Sequence, residues 1–112
     1  MKDEEVFKII AEKVMGWTWG VVEVVNGKPT LSAWLDSQGS VCHRGDFNPL
    51  DDDKDCMMAW DEFSQKRLST LRMMRLGWEA GWYSENGALR AEGDLHRRRA
   101  MCECMIKAVS EE

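Results

Sequence analysis

Gly77-Trp78-Glu79-Ala80-Gly81-Trp82-Tyr83-Ser84 runs into Glu85-Asn86-Gly87 and then into Ala88-Leu89-Arg90-Ala91-Glu92. Asn-Gly between two alternating runs is a strong hairpin signal, because a tight two-residue turn asks both positions for positive φ. Such a turn at Asn86-Gly87 predicts that Ser84 faces Leu89, Tyr83 faces Arg90 and Trp82 faces Ala91. Strand side chains alternate between faces. Trp78, Ala80, Trp82, Leu89 and Ala91 then share an apolar face, with Glu79, Tyr83, Arg90 and Glu92 on a polar one. The segment reads as a half-buried hairpin onto which flanking helices fold.

Composition narrows the class. At 112 residues, with 44% hydrophobic and 31% charged residues, the chain fits one α+β domain spanning 1–112. A chain of this length buries roughly two-thirds of its unfolded surface. The net charge of −5 disfavours nonspecific nucleic-acid binding, which needs a basic face to displace counterions. It leaves room for a basic protein partner. No apolar run is long enough for a membrane span, and no secretory leader opens the chain. A cytoplasmic location follows as the expectation, and four cysteines there read as free thiols. Six tryptophans and eight methionines fill cores and also make adaptable contact surfaces.

Upstream, Asp3-Glu4-Glu5 predicts a helix start, and Phe7, Ile10, Ala11 and Val14 form one helical stripe that Gly16 ends. Residues 17–25 and 30–36 flank Asn26-Gly27, a second hairpin signal. The same two-residue turn sets Val24 opposite Pro29, Val22 opposite Leu31 and Gly20 opposite Ala33. The other face carries Trp19 opposite Trp34, Val21 opposite Ser32 and Glu23 opposite Thr30. Either a helix covers this tryptophan face or the indoles are exposed and bind something. Pro29, lacking an amide donor, fits an edge strand. Residues 37–50 read as loop, with Gly39, Gly45, Asn48 and Pro49 and a short strand at Val41-Cys42-His43.

Asp51, Asp52 and Asp53 cap the next helix and complement its dipole. Cys56, Trp60, Phe63, Leu68, Leu71 and Met74 track one face, predicting a helix from Lys54 to Arg75, although Leu71-Arg72-Met73 also suits a strand. Gly93-Asp94 punctuates before a last helix from Leu95 to Ser110, with Leu95, Cys102, Met105, Ile106 and Val109 as its buried stripe. The expected architecture is a layered helix–sheet–helix sandwich of order α-ββ-α-ββ-α, its strands paired as antiparallel hairpins.

Several short stretches together resemble the phage ABA sandwich domain. They are Val14-Met15-Gly16-Trp17, Phe47-Asn48-Pro49-Leu50 before an aspartate-rich cap and Ala59-Trp60, Trp78-Glu79-Ala80, and Ala100-Met101-Cys102 with Ile106-Lys107-Ala108-Val109. The resemblance extends over nearly the whole chain. It implies a layered fold and a phage or prophage origin, and it implies no chemistry. The Arg97-Arg98-Arg99 run and Cys104 depart from the pattern.

Candidate chemistry is sparse. Cys102 and Cys104, two apart on a helix, point away from each other and cannot chelate one ion; no C-x-x-C pair exists. Asp51, Asp53, Asp55 and Glu62 fit a calcium-loop spacing, but Cys56 stands where that loop demands glycine. Neither a metal nor a cofactor is expected. Arg97 and Arg98 in the first turn of a helix oppose its dipole. An ion-pair network with Asp51 to Asp55, or a phosphate at the helix end, would offset that. No nucleophile elbow, phosphate loop or acid–base pair stands out, so catalysis is not expected. The leading expectation is a phage accessory protein that inhibits a bacterial antiviral defence system in the host cytoplasm by stoichiometric occlusion. Trp19 and Trp34 would anchor the partner, and Asp51, Asp52 and Asp53 would meet its basic surface. The rival is a module sequestering a nucleotide signal, with Arg90, Arg97 or Arg98 on phosphate. A third reading is a virion or morphogenesis component.

Overall fold

The computed structural model describes residues 1–43 and 47–111. Of the expected loop residues, Gly45 lies outside them. Helix α1 (Asp3–Ile9) runs straight into a π-helical turn over Ile10–Val14. It carries Asp3, Glu4 and Glu5 in its first turn, against the positive end of the dipole, although no side chain caps it. The wide turn closes with Met15 N–H on the Ile10 carbonyl and Trp17 N–H on that of Ala11. Gly16, at φ 74°, supplies the left-handed residue that stops the helix.

Strands β1 (Thr18–Val25), β2 (Lys28–Leu35) and β3 (Val41–His43) form one antiparallel sheet in that order. Asn26 and Gly27 sit at φ 53° and 75°, the positive pair a two-residue turn requires. The expected register holds at the tip, with Val24 on Pro29, and at the base, with Trp19 on Trp34 and Gly20 on Ala33. Between them a local irregularity sets Glu23 against Leu31. Among the described residues β3 pairs only with Trp34 and Leu35, so around Pro29 β2 is an edge, as proline demands.

Helix α2 (Asp53–Lys66) is capped by the Asp52 carboxylate, which accepts from Asp55 N–H at 3.0 Å. The helix expected to reach Arg75 stops here, and β4 (Ser69–Met74) replaces its last third. Arg67 is already extended, at φ −141° and ψ 144°. Beyond it, β-branched Thr70 and the alternation of Leu71 with Arg72 suit a strand. Leu68 and Met74, expected on the buried helix face, are exposed instead.

Strands β4, β5 (Gly77–Tyr83) and β6 (Leu89–Asp94) form the second antiparallel sheet. Here the expected register is wrong by one residue. Tyr83 pairs with Leu89, Trp82 with Arg90 and Gly81 with Ala91. The turn has three residues rather than two: Gly87 N–H bonds the Ser84 carbonyl and Ser84 N–H bonds that of Ala88. Only Gly87, at φ 83°, takes positive φ there, the pattern of a type I turn closed by a glycine bulge. A one-residue slip exchanges the faces of the whole strand. Arg90, Glu92 and Asp94 therefore share the side of Trp82, Ala80 and Trp78, while Leu89 and Ala91 face outward with Tyr83.

Helix α3 (Arg97–Ser110) lies between that sheet and a layer made by α1, the π turn and α2. Ala100, Met101, Cys102, Cys104, Met105 and Ala108 are all buried, more than one stripe of a surface helix. Cys102 contacts Cys56 of α2, whereas Cys104 on the opposite side feels Glu92 of β6. Burial pushes the Cys104 thiol up to about 12. Leu95, expected in the stripe, precedes the helix and is 72% exposed. Arg90 and Glu92 run alongside α3, reaching Glu111 at 3.8 Å and Lys107 at 3.5 Å. Phe63, Ile10, Val14, Trp60 and Trp82 complete the core. Among the described residues, no helix is long and apolar enough to cross a membrane.

Truncating Met101, fully buried against Cys56, to alanine is expected to cost about 2–5 kcal/mol. Leu95→Ala should stay within about 0.5 kcal/mol. Urea denaturation of the two variants separates the observed packing of α3 from the periodicity-based one.

Candidate partner-binding surface

The outer part of the β1–β2 hairpin leaves the layered body and stands as a two-stranded ribbon. The molecule's principal extents, 55 × 29 × 22 Å, reflect its elongation. Val21, Val22, Val24, Val25 and Leu31 are exposed on this ribbon, Val24 by 59%. They alternate, so apolar surface lies on both faces. β-Branched residues explain the strand propensity; nothing among the described residues explains their exposure. An isolated two-stranded ribbon is marginal in water, and β1 is the outer edge of its sheet, with backbone groups open to pairing.

The cross-strand tryptophans sit where this ribbon meets the body. Their rings meet edge to face, 5.1 Å apart at 69°, a favoured aromatic geometry. Trp34 packs against the core, while Trp19 remains 51% exposed. Of the two alternatives for this face, the indole on β1 is open to solvent.

The root of the sheet is tied to α2 by a polar joint. Asp55, 7% exposed, accepts from His43 Nε2 at 3.1 Å and from Asn48 N–H at 3.0 Å. The imidazole lies among aromatic rings, 6.2 Å from Trp17 and 5.6 Å from Phe47. A buried carboxylate needs such partners, and here they fasten β3 and the following loop to the first turn of α2. Sequence reading missed this joint. Asp55 was legible only as part of an acidic run, and nothing in the spacing of twelve residues to His43 signals a contact.

The aspartates divide their roles. Asp52 is the helix cap. Asp51 is exposed, its carboxylate accepting from Asn48 Nδ2 at 3.3 Å. Asp53 receives both Arg98, at 2.6 Å, and Arg97, at 3.1 Å. Arg98 Nε also donates to the Leu50 carbonyl at 2.8 Å, and the Arg97 guanidinium lies 5.8 Å from the Trp78 ring. The first turn of α3 holds no acidic residue, so Asp53 supplies the missing negative charge across the helix–helix contact. Arg90 stands apart, at the other end of α3, beside Glu111. Trp19 and Trp34 are thus brought together, Asp53 is joined to Arg97 and Arg98, and the two groups form no single site. Among the described residues no three His, Cys, Asp or Glu side chains converge to hold a metal ion.

No protein-family model matches the chain, and no curated protein does. Its fold is similar to the crystal structure of a phage protein from Bacillus cereus ATCC 14579. The TM-score is 0.65, the identity 12%, and the match covers 98% of this chain and 89% of that one.

Hydrogen bonds from Arg98 first, then Arg97, hold the Asp53 carboxyl below its ordinary pKa. A lowered folded-state pKa stabilises above the unfolded value, and the contribution disappears as pH falls through the lowered one. Asp53→Asn is therefore expected to be less stable than the parent at neutral pH and indistinguishable from it in strong acid. Urea melts across a pH series read the closing gap; a gap constant with pH would contradict the pairing.

Proposed function

We propose that this chain is a phage or prophage accessory protein that binds a partner protein stoichiometrically and occludes it. The partner assigned to it is a component of a bacterial antiviral defence system in the host cytoplasm. The observation that carries this reading is the β1–β2 ribbon: an exposed tryptophan, valines on both faces and an open strand edge in one element. Such an element docks by adding a strand to a partner's sheet or by seating an aromatic anchor in a pocket. Exposed apolar surface of this kind marks interaction sites.

The resemblance to the phage ABA sandwich domain and the Bacillus cereus phage fold support the phage origin. The defence-system partner rests on that origin and on the architecture of a binding protein rather than on a catalytic motif. Net charge −5 favours a target with a basic, nucleic-acid-binding surface, because complementary charge speeds encounter. Of the three aspartates first considered, all exposed, Asp53 already holds Arg97 and Arg98 and Asp52 caps α2, which leaves Asp51 to face the partner. Trp19 provides the anchor, with Trp34 holding it in place from behind.

Mixing the protein with purified host defence complexes and following co-elution tests the proposal. Binding is expected to one complex, and Trp19→Ala should weaken it by about 2 kcal/mol or more, the loss typical of a central aromatic anchor. Val24→Lys should weaken it as well. Both variants should melt within a few degrees of the parent, since neither side chain is buried. Binding that survives both substitutions would contradict the ribbon as the contact surface.

A further inference from the structure

A groove of about 1170 Å³ opens where the end of α2, the π turn and the β5–β6 turn meet. Its walls carry Lys13, Lys66, Arg67 and Arg90, with Tyr83 at the rim. Four of the fifteen Lys and Arg residues of an acidic chain therefore line one depression. Only Glu85 and Glu111 oppose them among its lining residues.

The cations come from three elements, Lys13 from the π turn, Lys66 and Arg67 from the end of α2 and Arg90 from β6, so no single charge run accounts for all four. Two are held in place. Lys66 Nζ donates to the Val14 carbonyl at 3.0 Å, which sets it next to the residue after Lys13. The Arg67 guanidinium lies 5.3 Å from the centre of the Phe63 ring, a stacked arrangement that restricts its motion. The ion pairs among them are loose. Arg90 reaches Glu111 only at 3.8 Å, with both side chains substantially exposed, and Lys66 reaches Glu62 at 3.4 Å. Exposed pairs of this kind are worth little and are easily exchanged for a better anion. Arg97 and Arg98 differ: Asp53 already engages both. Positive charges gathered at a concave surface raise the local concentration of anions.

We propose that this groove binds a small molecule bearing two or more linked phosphates. Lys13, Lys66 and Arg90 engage the phosphates. Arginine and lysine are the phosphate-binding side chains. The site is separate from the ribbon and does not depend on the partner assigned to it.

Isothermal titration of the intact chain with pyrophosphate, ADP, adenosine and sulfate at matched ionic strength tests the site. Pyrophosphate and ADP should give saturable heats and raise the melting temperature, while adenosine and sulfate should do neither. Lys13→Glu and Arg90→Glu, both at exposed positions, should each weaken binding roughly tenfold or more. Arg97→Gln should leave binding unchanged. Absence of saturable binding by pyrophosphate and ADP at millimolar concentration would overturn the proposal. So would equal binding of sulfate, or charge-reversal variants that bind as the parent does.

Discussion

The interaction on which the structure rests is the burial of α3 on two sides at once. One side meets Trp82 and Ala80 of the second sheet, the other meets Cys56, Phe63 and Ile10 of the helical layer. Two-sided burial explains the composition of α3. Ala100, Cys104 and Ala108 are small enough for close approach, and Met101 and Met105 fill the irregular space between layers. It also explains the charges that border the helix. Arg90 and Glu92 cannot enter the core, so they lie along it and meet Glu111 and Lys107 at its margin. The arginines at the start of α3 are held by the aspartate at the start of α2. The two helix ends thereby neutralise each other.

The first sheet has no such support. Among the described residues only its root is fastened, through His43 and Asp55 and the ring cluster of Trp17 and Phe47. Beyond Trp34 the hairpin continues with valines on both faces and no third strand among the described residues. A monomeric protein rarely leaves so much apolar strand uncovered. The same constraint that consolidates the body thus makes the ribbon its contrast: one element buried on both sides, another exposed on both.

How far this was legible in the sequence depends on the range of the interactions. Asn26-Gly27 set its turn correctly because both residues take the positive φ the turn needs, although farther along Leu31 meets Glu23 and not the expected Val22. Asn86-Gly87 looked the same and slipped by one, because there only the glycine does so and a third residue joins the loop. The long helix over residues 54–75 failed at Arg67: an apolar face with helical spacing cannot reveal that the last third alternates as a strand. Leu95 was assigned to a stripe because periodicity assumes one buried face, whereas α3 has two. The pairing of the Arg97-Arg98 run with the acidic segment was foreseeable from the dipole. The His43–Asp55 joint and the groove of Lys13, Lys66 and Arg90 were not, since they gather residues distant in sequence whose local surroundings look like ordinary surface.

Amide hydrogen exchange on the free protein at low concentration tests the central contrast most directly. Amides of α3 and β5 should be the slowest to exchange, near the global unfolding limit. Those from Val22 to Leu31 should exchange orders of magnitude faster through local opening of an unsupported ribbon. Protection of the ribbon equal to that of α3 would contradict the account, because the hairpin would then be covered in a way the layered body does not provide.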